Sequence, residues 1–95
     1  MEGRVFSYIH FNGQVGSIVK ISTVTDFAAR TDEFMNFGKD IAMQITMTNP
    51  STSYELLHEN SIMYDGASIQ SLFDEITKKL GERVELLAFQ RFSFQ

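Results

Sequence analysis

Ninety-five residues, 43% of them hydrophobic and one of them proline, suffice for one packed domain but not two, so the chain reads as a single domain over 1–95 that folds. A formal net charge of −4 supplies no positive field for phosphates or an anionic leaflet, which argues against nucleic acid or membrane as the main partner. The absence of cysteine excludes disulfides, thiolate nucleophiles and thiolate metal ligands; no export signal or membrane-spanning run is visible, and a cytoplasmic setting is the default.

Residues Val5 to His10 alternate in the manner of a strand, with Val5, Ser7 and Ile9 opposite Phe6, Tyr8 and His10. Asn12-Gly13 follows and predicts a two-residue type I′ hairpin turn into a second strand over Gln14 to Ile21, in which Gly16 marks a bulge or a close backbone approach. From Thr31 to about Thr48 the period becomes helical, with Phe34, Phe37, Ile41, Ala42 and Ile45 on one stripe. Thr31 caps this helix, Asp32 and Glu33 suit its positive end, and Asn49-Pro50 stops it.

A short helical turn is expected near Tyr54 to Glu59. A second amphipathic helix is clearer: Ser68 is its cap, Ile69, Leu72, Phe73, Ile76 and Leu80 form its apolar face, and Lys78, Lys79 and Gly81 mark its end. Val84 to Phe94 reads as a third strand with Leu86, Ala88, Phe92 and Phe94 on one side and Leu87 and Phe89 on the other, so neither face is polar. The expected fold is therefore α+β, a three-stranded antiparallel sheet with two main helices on one face. The other face needs an apolar cover, and pairing with a second copy would supply it.

No catalytic or metal constellation emerges. His10 and His58 are the only histidines and lie far apart, no serine sits in a nucleophile elbow, and the helical carboxylates read as solvated faces. The GxxG of Gly13 to Gly16 is better explained by turn chemistry than as a nucleic-acid clamp. The chain is read as a protein that grips another protein, without cofactor and without covalent catalysis. One segment stands out: Thr25-Asp26-Phe27-Ala28-Ala29-Arg30 leaves the second strand and starts a helix with a phenylalanine beside an aspartate. Core logic demands neither; the plain reading is Thr25 as cap, Asp26 as dipole partner and Phe27 as hydrophobic staple.

In order and spacing, several segments resemble the translation elongation factor Ts family: Ser7-Tyr8-Ile9-His10, Asn12-Gly13, Val15-Gly16, then Thr25-Asp26-Phe27 with Ala29-Arg30 and Phe34. Asp40 to Ile45, Asn49-Pro50, Gly81-Glu82 and Arg91-Phe92 continue the likeness. The resemblance implies a guanine-nucleotide exchange factor that binds elongation factor Tu, with Thr25, Asp26, Phe27 and Arg30 as partner-binding residues and Asp26 and Phe27 as the wedge that disturbs the magnesium and phosphate region. It also implies a homodimer, since short members of the family pair through their core sheets.

There are departures. The family's N-terminal ubiquitin-associated-like domain is expected to be missing, as are further helices after Asn49-Pro50. Thr23, Val24 and Ala28 stand where Cys, Glu and Val are common, and Gln90 stands where some short members have the cysteine of an intersubunit disulfide. The alternative functional reading is accordingly a non-exchanging interaction module, a reduced or virus-encoded copy that docks on elongation factor Tu or joins another complex. A fragment of a longer factor is a third reading.

Overall fold

The alternation at the start of the chain folds as a hairpin, β1 (Glu2–Ile9) antiparallel to β2 (Val15–Thr23), in the computed structural model, which describes residues 1–94. The turn differs from expectation. A type I′ turn needs positive φ at both central residues, and only Gly13 has it, at 71°. Gly13 N donates to His10 O at 2.8 Å and His10 N to Val15 O at 2.9 Å, so the reversal runs from Phe11 to Gln14. Asn12 accepts from Gln14 N through Oδ1 at 3.0 Å, a local side-chain bond that holds the loop in another conformation.

β3 (Glu85–Ser93) pairs antiparallel with β2, giving the order β1-β2-β3. The bulge lies in this pairing, while Gly16 marks the close approach expected as its alternative, since a Cβ there would stand 2.9 Å from Tyr8 O: Lys20 faces Ala88 but Ile21 faces Leu86, which leaves Leu87 without a partner. One extra residue shifts the alternation. Leu86 and Phe89 therefore both pack against the core, which corrects the expectation that Leu86 shares a side with Ala88, Phe92 and Phe94. Phe6 and Tyr8 also turn inward, opposite Val19 and Ser17.

The helices take one face of the sheet. α1 (Asp26–Ala29) is a single short turn, and α2 (Asp32–Thr48) is the long helix that packs on β1 and β2. Thr31 Oγ1 caps α2 from 3.2 Å to Phe34 N. At the far end Asn49 is left-handed (φ 56, ψ 56); the right-handed region is disfavoured before Pro50, and asparagine tolerates this one. α3 (Ser53–His58) starts one residue earlier than expected, capped by Thr52, and sends Leu56 fully into the core. α4 (Ile69–Leu80) has the expected Ser68 cap and a left-handed Gly81, and packs on α3 and α2.

Phe34, Ile41, Ile45, Leu56 and Ile69 are fully buried around Val19 and Ile21, with Phe37 and Phe73 edge to face at 4.8 Å. Polar groups are matched as carefully as apolar ones. Ser17 Oγ donates to Ala42 O at 2.8 Å and Arg91 Nε to Thr46 O at 2.9 Å, tying β2 and β3 to the α2 backbone. Gln44, also fully buried, donates to Asn60 O and accepts from Ile62 N, stitching the chain after α3 to α2. Among the described residues, no buried side-chain nitrogen or oxygen lacks a partner.

Candidate functional site

The segment singled out in the sequence forms the corner where β2 turns into the helices. Thr25 is the N-cap of α1, in extended conformation, and its Oγ1 accepts from Ala28 N at 3.2 Å. Ala28 and Ala29 are buried, so α1 is sunk into the domain by its two small residues while Asp26 and Phe27 remain outside. Phe27 is 75% exposed. That rules out a staple, which would be packed against the fourth helical residue.

The corner is held from three directions. Glu82, just past the end of α4, places Oε1 2.8 Å from Thr25 N and 3.1 Å from Val24 N, and its carboxylate also accepts from Thr25 Oγ1 at 3.1 Å. Arg4 of β1 reaches Asp26 Oδ1 at 3.1 Å, and Arg30 meets Oδ2 at 3.2 Å one turn along. Behind the corner, Thr23 Oγ1 donates to Thr25 O at 2.8 Å and Thr31 Oγ1 to Ala28 O at 2.9 Å. The ion pairs are exposed and worth about 0–1 kcal/mol each, so their effect is to aim the Asp26 carboxylate more than to stabilise the fold.

The structure thus brings Thr25, Asp26, Phe27 and Arg30 together, with Arg30 engaged on Asp26 instead of reaching outward alone. Sequence reasoning missed Glu82 and Arg4 as the residues that hold this corner. Gly81-Glu82 carried part of the resemblance, but nothing local gave Glu82 a role.

Two other surface features are present. The sheet face away from the helices carries Val5, Ile9, Ile18, Leu87, Phe92 and Phe94, all exposed, with Phe92 at 65%. Between α2 and α4 lies a cleft of about 400 Å³ whose lining includes Phe37, Asp40, Tyr64, Leu72, Glu75 and Lys79. Burial raises the Asp40 carboxyl above its ordinary value, partly offset by the Tyr64 hydroxyl that donates to it at 3.3 Å; the Asp40 charge in turn raises Tyr64.

The histidines are engaged with aromatic neighbours. His10 lies 3.3 Å from Tyr8 Oη and beside Phe11, while the His58 ring stacks on Tyr54 with centroids 4.1 Å apart. Among the described residues no group of three or more His, Asp or Glu is placed to hold a metal ion, and no helix is long and apolar enough to cross a membrane.

The family model described as Elongation factor TS matches residues 24–95, a stretch that opens immediately before the Thr25 cap and includes Glu82. Elongation factor Ts of Clostridium kluyveri is 35% identical over 92 residues, covering 97% of this chain and 30% of the relative. That of Trichlorobacter lovleyi is 32% identical over the same length and shares, and that of Rubrobacter xylanophilus is 51% identical over 49 residues, 52% of this chain and 25% of the relative. The chain therefore spans 30% or less of the length of these curated relatives. With three quarters of its residues inside the family model and its likeness to the two longer-matching relatives running almost end to end, the chain belongs to the elongation factor Ts family.

Proposed function

We propose that this chain binds elongation factor Tu and promotes release of its guanine nucleotide, with Phe27 as the wedge, Asp26 beside it, and Thr25 and Arg30 framing them. One observation carries the reading: Phe27 stands 75% exposed on a turn that is bonded to Arg4 of β1, to Glu82 after α4 and to Thr31 at the start of α2. A large aromatic ring kept in water adds nothing to the core. Held on a rigid mount, it has the character of an interface anchor whose ordering cost is met before binding.

The mechanism is linkage. A protein that prefers the nucleotide-free form of its partner weakens nucleotide binding by the same factor, so no covalent step of its own is required. Cytoplasmic residence belongs to the same proposal. The open sheet face is assigned to a second copy of the chain in a two-fold dimer, because Val5, Ile9, Ile18, Phe92 and Phe94 all stand exposed on it and a self-complementary pairing would cover them.

The test is release of a fluorescent guanosine diphosphate from elongation factor Tu. Phe27→Ala should slow stimulated release by roughly thirtyfold, the equivalent of about 2 kcal/mol at a central anchor. Stimulation at the parent level in that variant defeats the wedge. The second reading, docking without exchange, is favoured by the engagement of both Asp26 oxygens with arginines, which leaves the carboxylate less free to disturb a partner. Tight binding with no accelerated release would establish it instead.

A further inference from the structure

We infer that Glu82 is a positioning residue for the Phe27 wedge: its carboxylate, delivered from the connection between α4 and β3, fixes the direction in which the corner presents the ring. The inference rests on the proposed wedge for its functional consequence, but its geometric part stands alone.

Val24 N and Thr25 N emerge at the end of β2, just past Thr23, its last residue paired to β1, so their donors have left the sheet ladder. Glu82 Oε1 takes both. The Thr25 hydroxyl has one proton and gives it to the same carboxylate, which leaves its lone pairs for the cap bond to Ala28 N at 3.2 Å. One carboxylate therefore sets the exit of β2, the rotamer of the cap and, through the cap, the first turn of the helix that carries Phe27. Charge-assisted bonds of this kind are stronger and more directional than neutral ones.

The mount of Glu82 is itself rigid. Gly81 closes α4 in the left-handed conformation, with its N–H on Thr77 O at 3.0 Å. Val84 is buried, and its N–H bonds Thr77 Oγ1 at 3.2 Å. Glu82 thus lies between two fixed positions, Gly81 and Val84, and it reaches 57 positions back along the chain to Thr25. The consequence is that the wedge direction belongs to the α4 end as much as to the Thr25-Asp26-Phe27 segment.

Two measurements test this. The first uses the free protein: amide hydrogen exchange at Val24 and Thr25 in the parent, Glu82→Gln and Glu82→Ala. Gln keeps one oxygen for the two backbone donors, so protection should largely survive in Glu82→Gln and fall on the order of tenfold or more in Glu82→Ala, with Ile41 and Ala42 unchanged. Exchange of both amides that is the same in Glu82→Ala as in the parent, whether fast or slow, overturns the clamp, whatever the partner does. Should Glu82→Ala also lose protection at Ile41, Thr25→Val decides: it removes only the hydroxyl, and unchanged exchange at Ala28 there overturns the relay.

The second measurement is stimulated nucleotide release, in which Glu82→Ala should lose on the order of tenfold and Glu82→Gln should recover most of it. If Phe27→Ala abolishes stimulation while Glu82→Ala, with its amides exposed, keeps it, the positioning role is wrong. If Phe27→Ala keeps stimulation, the wedge reading fails, and the clamp is judged on the amides.

Discussion

Gly38 gives the most direct test of the packing that carries this site. It lies inside α2, where Gly→Ala should raise stability by about 1 kcal/mol from helix propensity alone. A methyl group at Gly38 would instead meet Cδ2, Cε2 and Cζ of Phe6 far inside van der Waals contact. The ring has no route of escape, since Phe6 is 4% exposed and stands edge to face on fully buried Phe34 with centroids 5.4 Å apart. Overpacking of a well-filled core costs about 1–3 kcal/mol. Because the deepest part of the core would have to move, the upper part of that range applies, and net destabilisation after the propensity gain is about 1–2 kcal/mol. With a urea m-value of about 1 kcal/mol per molar for a chain this size, the midpoint should fall by roughly 1–2 M. Phe6→Leu added to Gly38→Ala should recover part of the loss, a coupling that independent sites would not show. A midpoint that rises in Gly38→Ala would refute the close crossing of α2 over β1.

Two further perturbations follow. Phe92→Asp, on the open sheet face, should shift sedimentation equilibrium from dimer to monomer and remove the dependence of the urea midpoint on protein concentration that a dimeric parent shows; a parent that sediments as a monomer at micromolar concentration removes the proposed pairing. Asp40→Asn probes the cleft between α2 and α4. The Asp40 carboxyl is raised above 3.8 by burial, so the native state keeps its proton to higher pH than the unfolded chain, and ionisation costs stability as pH climbs through the native value. The Asn variant should therefore be the more stable protein at neutral pH and converge with the parent below about pH 4, and a difference of opposite sign in urea midpoints would count against desolvation of this partly buried carboxylate.

The long helices were legible because cap, period and stop agree within a few residues. Thr31 and Asn49 bracket α2 and Ser68 and Gly81 bracket α4 as the sequence predicts. The hairpin turn was misread because Asn12 satisfies itself locally, bonding Gln14 N, and this competition between side chain and backbone leaves no trace in an Asn-Gly pair. Thr25-Asp26-Phe27 was legible as a departure from core logic. Its support was not, because Arg4 and Glu82 lie 22 and 57 positions from their partners in the corner. Gln44 escaped for a related reason: on a helical stripe a glutamine reads as solvated, and only the return of the chain at Asn60 and Ile62 gives it partners.

The bulge at Leu87 links the core to the exposed surface of the sheet. Were β3 regular from Leu86 onward, Leu86 would stand with Ala88, Gln90 and Phe92 on the outer face, opposite Phe89. Leu87 would then face the fully buried Ile21 across the β2–β3 pair, and Leu86 would be left in water. The extra residue lets both Leu86 and Phe89 close on the core, and the displaced Leu87 stays partly in water near Val5 and Lys20. Strand alternation thus fails at β3 because one strand meets two demands with different phase: packing Leu86 against the core at its start, and presenting Phe92 outward at its end. A bulge is the least costly way to satisfy both, since it changes phase without breaking the ladder on either side. Beyond the bulge the strand alternates regularly: Arg91 keeps the inward phase of Phe89 and reaches Thr46 O while Phe92 points outward, so it is Leu86 that owes its place in the core to the residue that pairs with nothing.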